Sequence, residues 1–458
     1  MDDIKRDHRS KKIDMTQGSI LFNVLLFAIP IIIGNVLQQT YTTVDTLVVS
    51  RNCTETALAA VGTSAQPVEV LLCIFLGIGA GVSILIAQSS GAGDLDKVIS
   101  ISKTATSFVY LCGIPVTILG WFATPFILSL MRVPADVSGE AVLYTRIVLL
   151  GTIGNIGYNM NAGILRGLGD SIASLCFLVV SAVTNIALDI VFVAFFKLGV
   201  MGASLATMIA LLLSWLVSMI YVKVKFPELE FTFLPRYYNK DDMKNILMIG
   251  LPIGLNNSLY SLGHMAMQVL VNSQGTEFMA GLAVGGRITG LSNITIASMA
   301  ASASTFAGQN YGARNYSRLR EGYRKLPAFG GLITLMLGLV FVTLRYQVLR
   351  LFTDDEVVLM YAARFIVVLM LSQWSFAVFN CLCNILNGIG LVKYTTIVNL
   401  LMLWAVRIPA AYLISRFWDG RFVMVAFPIS FVFGMVSMIL YCNFSKSFRS
   451  IIMREDAV

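Results

Sequence analysis

Apolar runs of roughly 20 residues or more, the length that crosses a bilayer as a helix, recur along the chain from Leu21 to Tyr441. They fall near 20–50, 57–88, 101–131, 140–165, 171–196 and 198–222, then near 244–272, 279–308, 322–352, 357–387, 392–416 and 421–443. Twelve transmembrane helices are therefore predicted, which makes the fold class an all-α integral membrane protein. The joins carry turn or charge punctuation, as at Arg51-Asn52-Cys53-Thr54, Val133-Pro134-Ala135-Asp136 and Asp354-Asp355-Glu356. The longest polar stretch between spans separates the sixth from the seventh. The expected organisation is a tail over 1–19, a six-helix bundle over 20–222, a linker over 223–243, a second six-helix bundle over 244–443 and a tail over 444–458. The first span follows a charged segment and ends without a small-residue cleavage site, so it is expected to be retained.

The two halves repeat each other at an offset of about 221 residues. Gln88-Ser89-Ser90-Gly91-Ala92 returns as Gln309-Asn310-Tyr311-Gly312-Ala313, and Leu165-Arg166-Gly167-Leu168-Gly169 as Leu386-Asn387-Gly388-Ile389-Gly390. Pro30 of the first span has a counterpart in Pro252 of the seventh. An even number of spans per half inserts both halves the same way up. This is the parallel type of internal repeat, which suits alternating access with a site near the repeat interface.

Composition removes other classes. Of 458 residues, 57% are hydrophobic and 13% charged, about half the charge usual in soluble chains. A mean hydropathy of +0.78 leaves too little polar surface for a cytosolic enzyme, a disulfide scaffold or a disordered regulator. The net charge of +8 does not indicate nucleic acid, because the basic residues are unevenly placed. The N-terminus, the even-numbered connections and the C-terminus hold about 22 Lys and Arg, against about seven on the opposite side (Arg51, Arg132, Lys197, Arg345, Arg350, Arg416, Arg421). By the positive-inside rule both termini are expected in the cytoplasm of a multi-pass cell-membrane protein. The odd set of seven cysteines reads as small apolar residues, and no metal or nucleophile–base motif is evident. An enzyme is therefore not expected, and no cofactor.

Attention falls on polar residues inside the spans, where an Asp costs roughly 2.5–3.5 kcal/mol on insertion scales. Gln38, Tyr41 and Asp45 are three and four apart and share one face of the first span. Asp189 lies about two turns below the outer end of the fifth span, with Asn185 one turn earlier on the same face. Thr207 sits about two turns into the sixth span and Tyr144 about one turn into the fourth. All fall at one depth of the N-terminal bundle. Two uses follow: oxygen ligands for a small hard cation, or a proton held between neighbouring carboxylates. An interhelical hydrogen-bond network without transport chemistry is the structural alternative. Glu69, His264, Arg287 and Arg407 are weaker candidates, the two arginines as anion-recognising groups. Gly77, Gly79 and Gly81 in the second span suit close helix packing.

The chain resembles the multidrug and toxic compound extrusion (MATE) family from Met15-Thr16-Gln17-Gly18 to about Tyr441. The matching stretches include Pro30 with Gln38-Gln39-Thr40-Tyr41-Thr42-Thr43-Val44-Asp45, Leu165-Arg166-Gly167-Leu168-Gly169-Asp170, Asn185-Ile186-Ala187-Leu188-Asp189, Gly199-Val200-Met201-Gly202-Ala203 with Ala206-Thr207, and Gly308-Gln309-Asn310 with Gly312-Ala313-Arg314-Asn315. The resemblance implies two six-helix bundles forming a V and substrate efflux coupled to inward H⁺ or Na⁺. It implies a cation site on Asp45, Asn185, Asp189 and Thr207, also the positions where Na⁺ would bind, with Gln38, Tyr41 and Tyr144 lining the adjacent cavity. One branch of the family carries further acids on the seventh and tenth spans; the matching positions here are Tyr260 and Phe376, which argues against a second carboxylate site in the C-terminal bundle.

The expected function is a secondary antiporter for amphiphilic, often cationic, organic compounds, working as a monomer in the lipid bilayer. The alternative is a flippase for a lipid-linked precursor, which related folds perform. Its cavity would have to be strongly basic, and the spans contain only Arg146, Arg287, Arg364 and Arg407.

Overall fold

The computed structural model describes residues 13–454, without the side chains of Ala65 and Gln66. The basic residues Lys5, Arg6, Arg9, Lys11 and Lys12 of the expected N-terminal tail lie outside the described residues, as do 455–458 of the C-terminal tail. All regular structure among the described residues is helical.

The first half contributes α1 (Ile20–Asn52), α2 (Glu55–Gly91), α3 (Leu95–Leu130), α4 (Ala135–Gly167), α5 (Ser171–Asp189) and α6 (Gly199–Lys225). The second contributes α7 (Lys240–Asn272), α8 (Thr276–Gly312), α9 (Tyr316–Thr343), the short α10 (Arg345–Leu349), α11 (Glu356–Met370), α12 (Gln373–Gly388), α13 (Val392–Leu400), α14 (Ile408–Phe417), α15 (Ala426–Phe444) and the terminal α16 (Lys446–Ile452). Polar residues at the joins start the helices by accepting from first-turn amides. Asp94 Oδ1 takes the Lys97 amide at 2.9 Å, Asp170 Oδ1 that of Ala173 at 3.0 Å, and Asp355 Oδ1 that of Val357 at 2.8 Å.

Among the described residues ten helices are long and apolar enough to cross a membrane, counting continuous helical runs through α5 and α13, and the bent pair α11–α12 makes an eleventh. That pair breaks by 43° at Leu371–Ser372, where the Ser372 hydroxyl donates to the Val368 and Leu369 carbonyls. The remaining predicted span is α8. It is 37 residues long but carries Ser292, Ser298, Ser302, Ser304, Thr305, Gln309 and Asn310, all buried. They are buried inside the protein instead of facing lipid, and Ser298, Ser302 and Thr305 donate back to carbonyls of their own helix, so its hydropathy is low although its length is sufficient. Aromatic and aliphatic side chains face outward elsewhere, with Phe122 at 74% and Phe195 at 78% exposed, as expected where the solvent is hydrocarbon. This is a multi-pass membrane protein.

Contacts divide the described residues into two units, one of 13–14 and 33–255, the other of 15–32 and 256–454. The division lies within α1 and α7 and not in the 223–243 connection. In the first unit, Phe75, Ile78, Val82, Phe108, Ile156, Met160, Phe177 and Ile246 build the largest core cluster. Ile246 belongs there because the first half of α7 crosses α2 at glycines: a Cβ on Gly77 would meet the Gly254 backbone at 2.1 Å, and one on Gly81 the Gly250 backbone at 2.8 Å. Residues 226–239 are fastened to α3 instead of hanging as a tether. Tyr110 donates to the Phe233 carbonyl at 2.7 Å, Lys103 pairs with Glu230 at 2.6 Å, and the fully buried Asp242 pairs with Lys97 at 2.6 Å. The Lys103 hydrogen bond holds the Glu230 carboxyl below the usual carboxylate range.

In the second unit, the segment before α1 is pinned to the start of α9. Arg318 donates to the Met15, Gln17 and Gly18 carbonyls at 2.8–3.0 Å, and the Met15 amide donates to Gln309 Oε1 at 3.0 Å. The repeat read from the sequence recurs in the packing. α2 and α8 are each 37 residues; Gly167 seats against Ser83 and Ile86, and Gly388 against Ser304 and Ala307, the positions 221 residues on.

Candidate functional site

The seven residues singled out in the sequence all belong to the first unit, and the helices bring them into one network. α1 presents Gln38, Tyr41 and Asp45, α4 presents Tyr144, α5 presents Asn185 and Asp189, and α6 presents Thr207. The Asp45 and Asp189 carboxyls contact each other directly. The Tyr144 hydroxyl lies near Thr207 and within electrostatic range of both acids. Tyr41 lies near Gln38 and Asp45. Asn185 Nδ2 donates to Thr207 Oγ1 at 3.4 Å, while the Thr207 hydroxyl donates back to the Ala203 carbonyl at 3.1 Å. Asp189 is fully buried, Asn185 2% exposed and Tyr144 7% exposed, whereas Gln38 is exposed.

The polarity of this network is one-sided. Asp45 Oδ1, both Asp189 carboxylate oxygens and Asn185 Oδ1 are buried and receive no hydrogen bond. Buried acceptors without donors are rare and costly, and two contacting carboxylates repel unless a proton or a cation lies between them. The donor set is all oxygen, which suits a hard cation as well as a proton. Among the described residues no cluster of three His, Cys, Asp or Glu exists that would hold a transition metal.

Directly after Asp189 the backbone widens into a π-helical segment, Ile190–Phe195. Such widenings concentrate at functional sites. An unbroken apolar run carries no sequence signal for this widening. Glu140, one turn before Tyr144 on α4, has its Oε2 buried without a donor; in the sequence its position near a helix start reads as an ordinary surface acid.

The second unit contains a separate cavity of about 540 Å³ lined by α7, α8, α11, α12 and α15. Its wall includes Tyr260, His264, Asn293, Gln373, Asn380 and four phenylalanines, with neither Asp nor Glu among the lining residues. Tyr260 and Phe376, the positions expected to replace acids, are both on it. Behind the wall Arg407 is fully buried. It ends a second π-helical segment, Leu401–Arg407, in the eleventh span. Its Nε donates to Ser430 Oγ at 2.9 Å and its Nη1 to the Tyr260 hydroxyl at 3.2 Å. The guanidinium lies 4.8 Å from the Phe427 ring centre, 5.1 Å from Phe431 and 5.6 Å from Tyr260, distances at which ring faces attract cations. Of the other weaker candidates, Glu69, His264 and Arg287 are exposed.

A duplicated, multi-pass helical membrane protein with a carboxylate pair, one member fully buried and the other half-buried, in one repeat is thus defined. The sequence matches the MatE family profile twice, over residues 30–191 and 252–413, and the chain belongs to that family. Members of the family are transporters and not enzymes. The sequence is 29% identical over 441 residues to the Probable multidrug resistance protein YoeA of Bacillus subtilis (strain 168), covering 94% of this chain and 95% of that protein. It is 26% identical to the Probable multidrug resistance protein YpnP of the same strain, covering 95% and 98%. Among solved structures, a crystal structure of MATE in complex with MaD3S superposes with a TM-score of 0.89 at 23% identity, covering 96% of this chain and 99% of that one. An outward-facing multidrug resistance MATE family transporter superposes at 0.87, also at 23% identity, covering 97% and 99%. These likenesses establish the twelve-helix, two-bundle fold.

Proposed function

We propose that the protein is a multidrug efflux antiporter that exports amphiphilic, cationic organic compounds in exchange for inward H⁺ or Na⁺. Asp45, Asn185, Asp189 and Thr207 form the coupling-cation site, and Gln38, Tyr41 and Tyr144 line the cavity beside it. The observation carrying this reading is the cluster of buried acceptor oxygens around two contacting carboxylates, none of which receives a donor. The names of the Bacillus relatives, both multidrug resistance proteins, support the substrate class. In the bilayer we take both termini to be cytoplasmic, the membrane to be the plasma membrane and the working unit to be a monomer without a cofactor.

Alternating access supplies the coupling. A cation entering between Asp45 and Asp189 removes their repulsion, and its departure restores it, so occupancy changes the energy of the arrangement that joins α1 to α5. Export then follows the free energy released by the cation's entry. A flippase of lipid-linked precursors is less well supported, because the intramembrane arginines are dispersed. Arg146 is engaged with the Trp121 carbonyl and ring, while Arg287 and Arg364 are exposed.

Efflux of a cationic dye from proteoliposomes tests the reading. A Na⁺ gradient and a pH gradient are imposed separately on the wild type and on Asp45→Asn. Export driven by one gradient and abolished in the variant is expected. Undiminished export by both Asp45→Asn and Asp189→Asn would remove the site from the mechanism.

A further inference from the structure

We propose that the cavity of the second unit is a binding site for organic anions, aromatic or amphiphilic molecules carrying a carboxylate, with the acid received by the Tyr260 hydroxyl and backed by Arg407.

The first argument is charge. An arginine side chain does not give up its proton in a protein, so Arg407 brings a permanent positive charge into a fully buried position. Its bonded partners, Ser430 and Tyr260, are neutral. Its Nη2 is buried and receives no acceptor. Among the described residues no carboxylate pairs with it, and none lines the cavity. The aromatic rings around it stabilise the cation but do not neutralise it.

The second argument is the direction of the hydrogen bond. Tyr260 uses its oxygen to accept from Arg407 Nη1. Its own hydroxyl proton is thereby polarised and free to point to another acceptor. Tyr260 lines the cavity and Arg407 does not, so the phenol carries the influence of the guanidinium to the wall. An anionic group there would gain a charge-assisted donor. Gln373, at another point of the wall, offers an acceptor suited to a hydrogen-bond donor elsewhere on the ligand and not to its acid. It is 1% exposed, its Oε1 has no donor, and its Nε2 is committed to Asn293.

The third argument is size and surface. About 540 Å³ exceeds what an inorganic ion needs and falls in the range for drug-sized ligands. Phe365, Phe376, Phe427 and Phe431 offer ring faces for an aromatic or aliphatic body. The repeat sharpens the contrast. The fifth span of the first half places Asp189 at the edge of a π-helical segment, and the fifth span of the second half places Arg407 at the edge of another. Arg407 lies three residues before Ala410, the position 221 residues beyond Asp189. The two units therefore carry opposite charge at neighbouring positions of the repeat.

The test is equilibrium binding to the full-length protein in lipid nanodiscs, by calorimetry, of three probes of one shape: naphthalene-1-acetate, its neutral amide and 1-naphthylmethylammonium. We expect the acid to bind at least tenfold more tightly than the amide, and the ammonium most weakly. Tyr260→Phe should bring acid and amide within about threefold of each other while leaving the amide unchanged. Arg407→Met should do the same, and Arg407→Lys should retain part of the preference, each checked for folding by its thermal transition. Because Arg407 is buried and its replacement could prevent folding, Tyr260→Phe is the decisive variant. The Asp45→Asn, Asp189→Asn double variant should bind the acid as the wild type does, which separates this site from the coupling site. Equal binding of acid and amide by the wild type, a preference that survives Tyr260→Phe, or one that disappears in the double aspartate variant would each overturn the proposal.

Discussion

Asp189 is fully buried, and neither of its carboxylate oxygens receives a hydrogen bond. Around it the contributions differ in kind. The two acids supply charge; Asn185, Thr207 and Tyr144 supply neutral polar groups beside them, free to join in holding an ion. Loss of one neutral partner should cost about one hydrogen bond, roughly 0.5–1.5 kcal/mol, which at about 1.4 kcal/mol per tenfold is a shift of about 2- to 12-fold. We expect Tyr144→Phe to raise the half-maximal concentration of the coupling ion by that factor while leaving maximal export near wild type. Asp189→Asn should instead abolish coupled export. Rates measured against ion concentration in proteoliposomes distinguish the two, and a Tyr144→Phe curve superimposable on wild type would exclude the phenol from the site. These positions were legible in the sequence because few polar residues survive in a span and helical spacing fixes their face and depth. Arg407 was legible only as a weaker, anion-recognising candidate; its surroundings were not, because its partners Tyr260 and Ser430 come from two other helices.

The helices show which local features a sequence carries. Lengths and joins were readable, since caps and apolar runs are local. The two π-helical segments, the 43° break between α11 and α12 and the burial of α8 were not, because each depends on what packs against the helix. The α2–α7 crossing was half legible: the glycines stood out, their partners did not. Gly77 faces the Gly254 backbone, whereas a Cβ on Gly62 would meet nothing within 4 Å. We expect Gly77→Ala to destabilise the first unit by about 1–3 kcal/mol, the range for overpacking a close contact. Gly62→Ala should be neutral or slightly stabilising. Thermal unfolding in detergent compares them, and equal transitions would mean that the crossing relaxes freely. The connection over 226–239 gives a pH-dependent case. The Glu230 carboxyl is held low by Lys103, so its contribution is fully present above the ordinary carboxylate pKa and is lost as pH falls through the lowered value. Protease cleavage within 226–239 should therefore rise only in that acidic window. Glu230→Gln should raise cleavage at neutral pH and remove this part of the pH dependence, and a variant with the wild-type profile would exclude the strap.

For the whole molecule the repeat and the charge distribution act together. Two halves of six spans share one orientation, and about 22 basic residues against about seven select which way up. Alkaline phosphatase fused after Leu234 should accordingly be inactive, and the same enzyme fused after Lys197 active; the reverse pattern would invert the topology and the direction of transport. Topology then bears on energetics. One charge crossing 100 mV releases roughly 2.3 kcal/mol, enough for about a 50-fold gradient. If one monovalent drug cation leaves as one coupling cation enters, no net charge crosses, and only the concentration gradient of the ion drives export. Two contacting carboxylates sharing one cation fit that stoichiometry. We therefore expect potassium–valinomycin clamping of the potential to change export of a monovalent cationic dye by less than twofold. Export of an uncharged analogue of the same dye, which leaves the entering charge uncompensated, should accelerate several-fold when the potential is made negative on the side the ion enters. Steep voltage dependence for the cationic dye would instead require two coupling ions per drug, and the pair would then have to bind them in sequence or together.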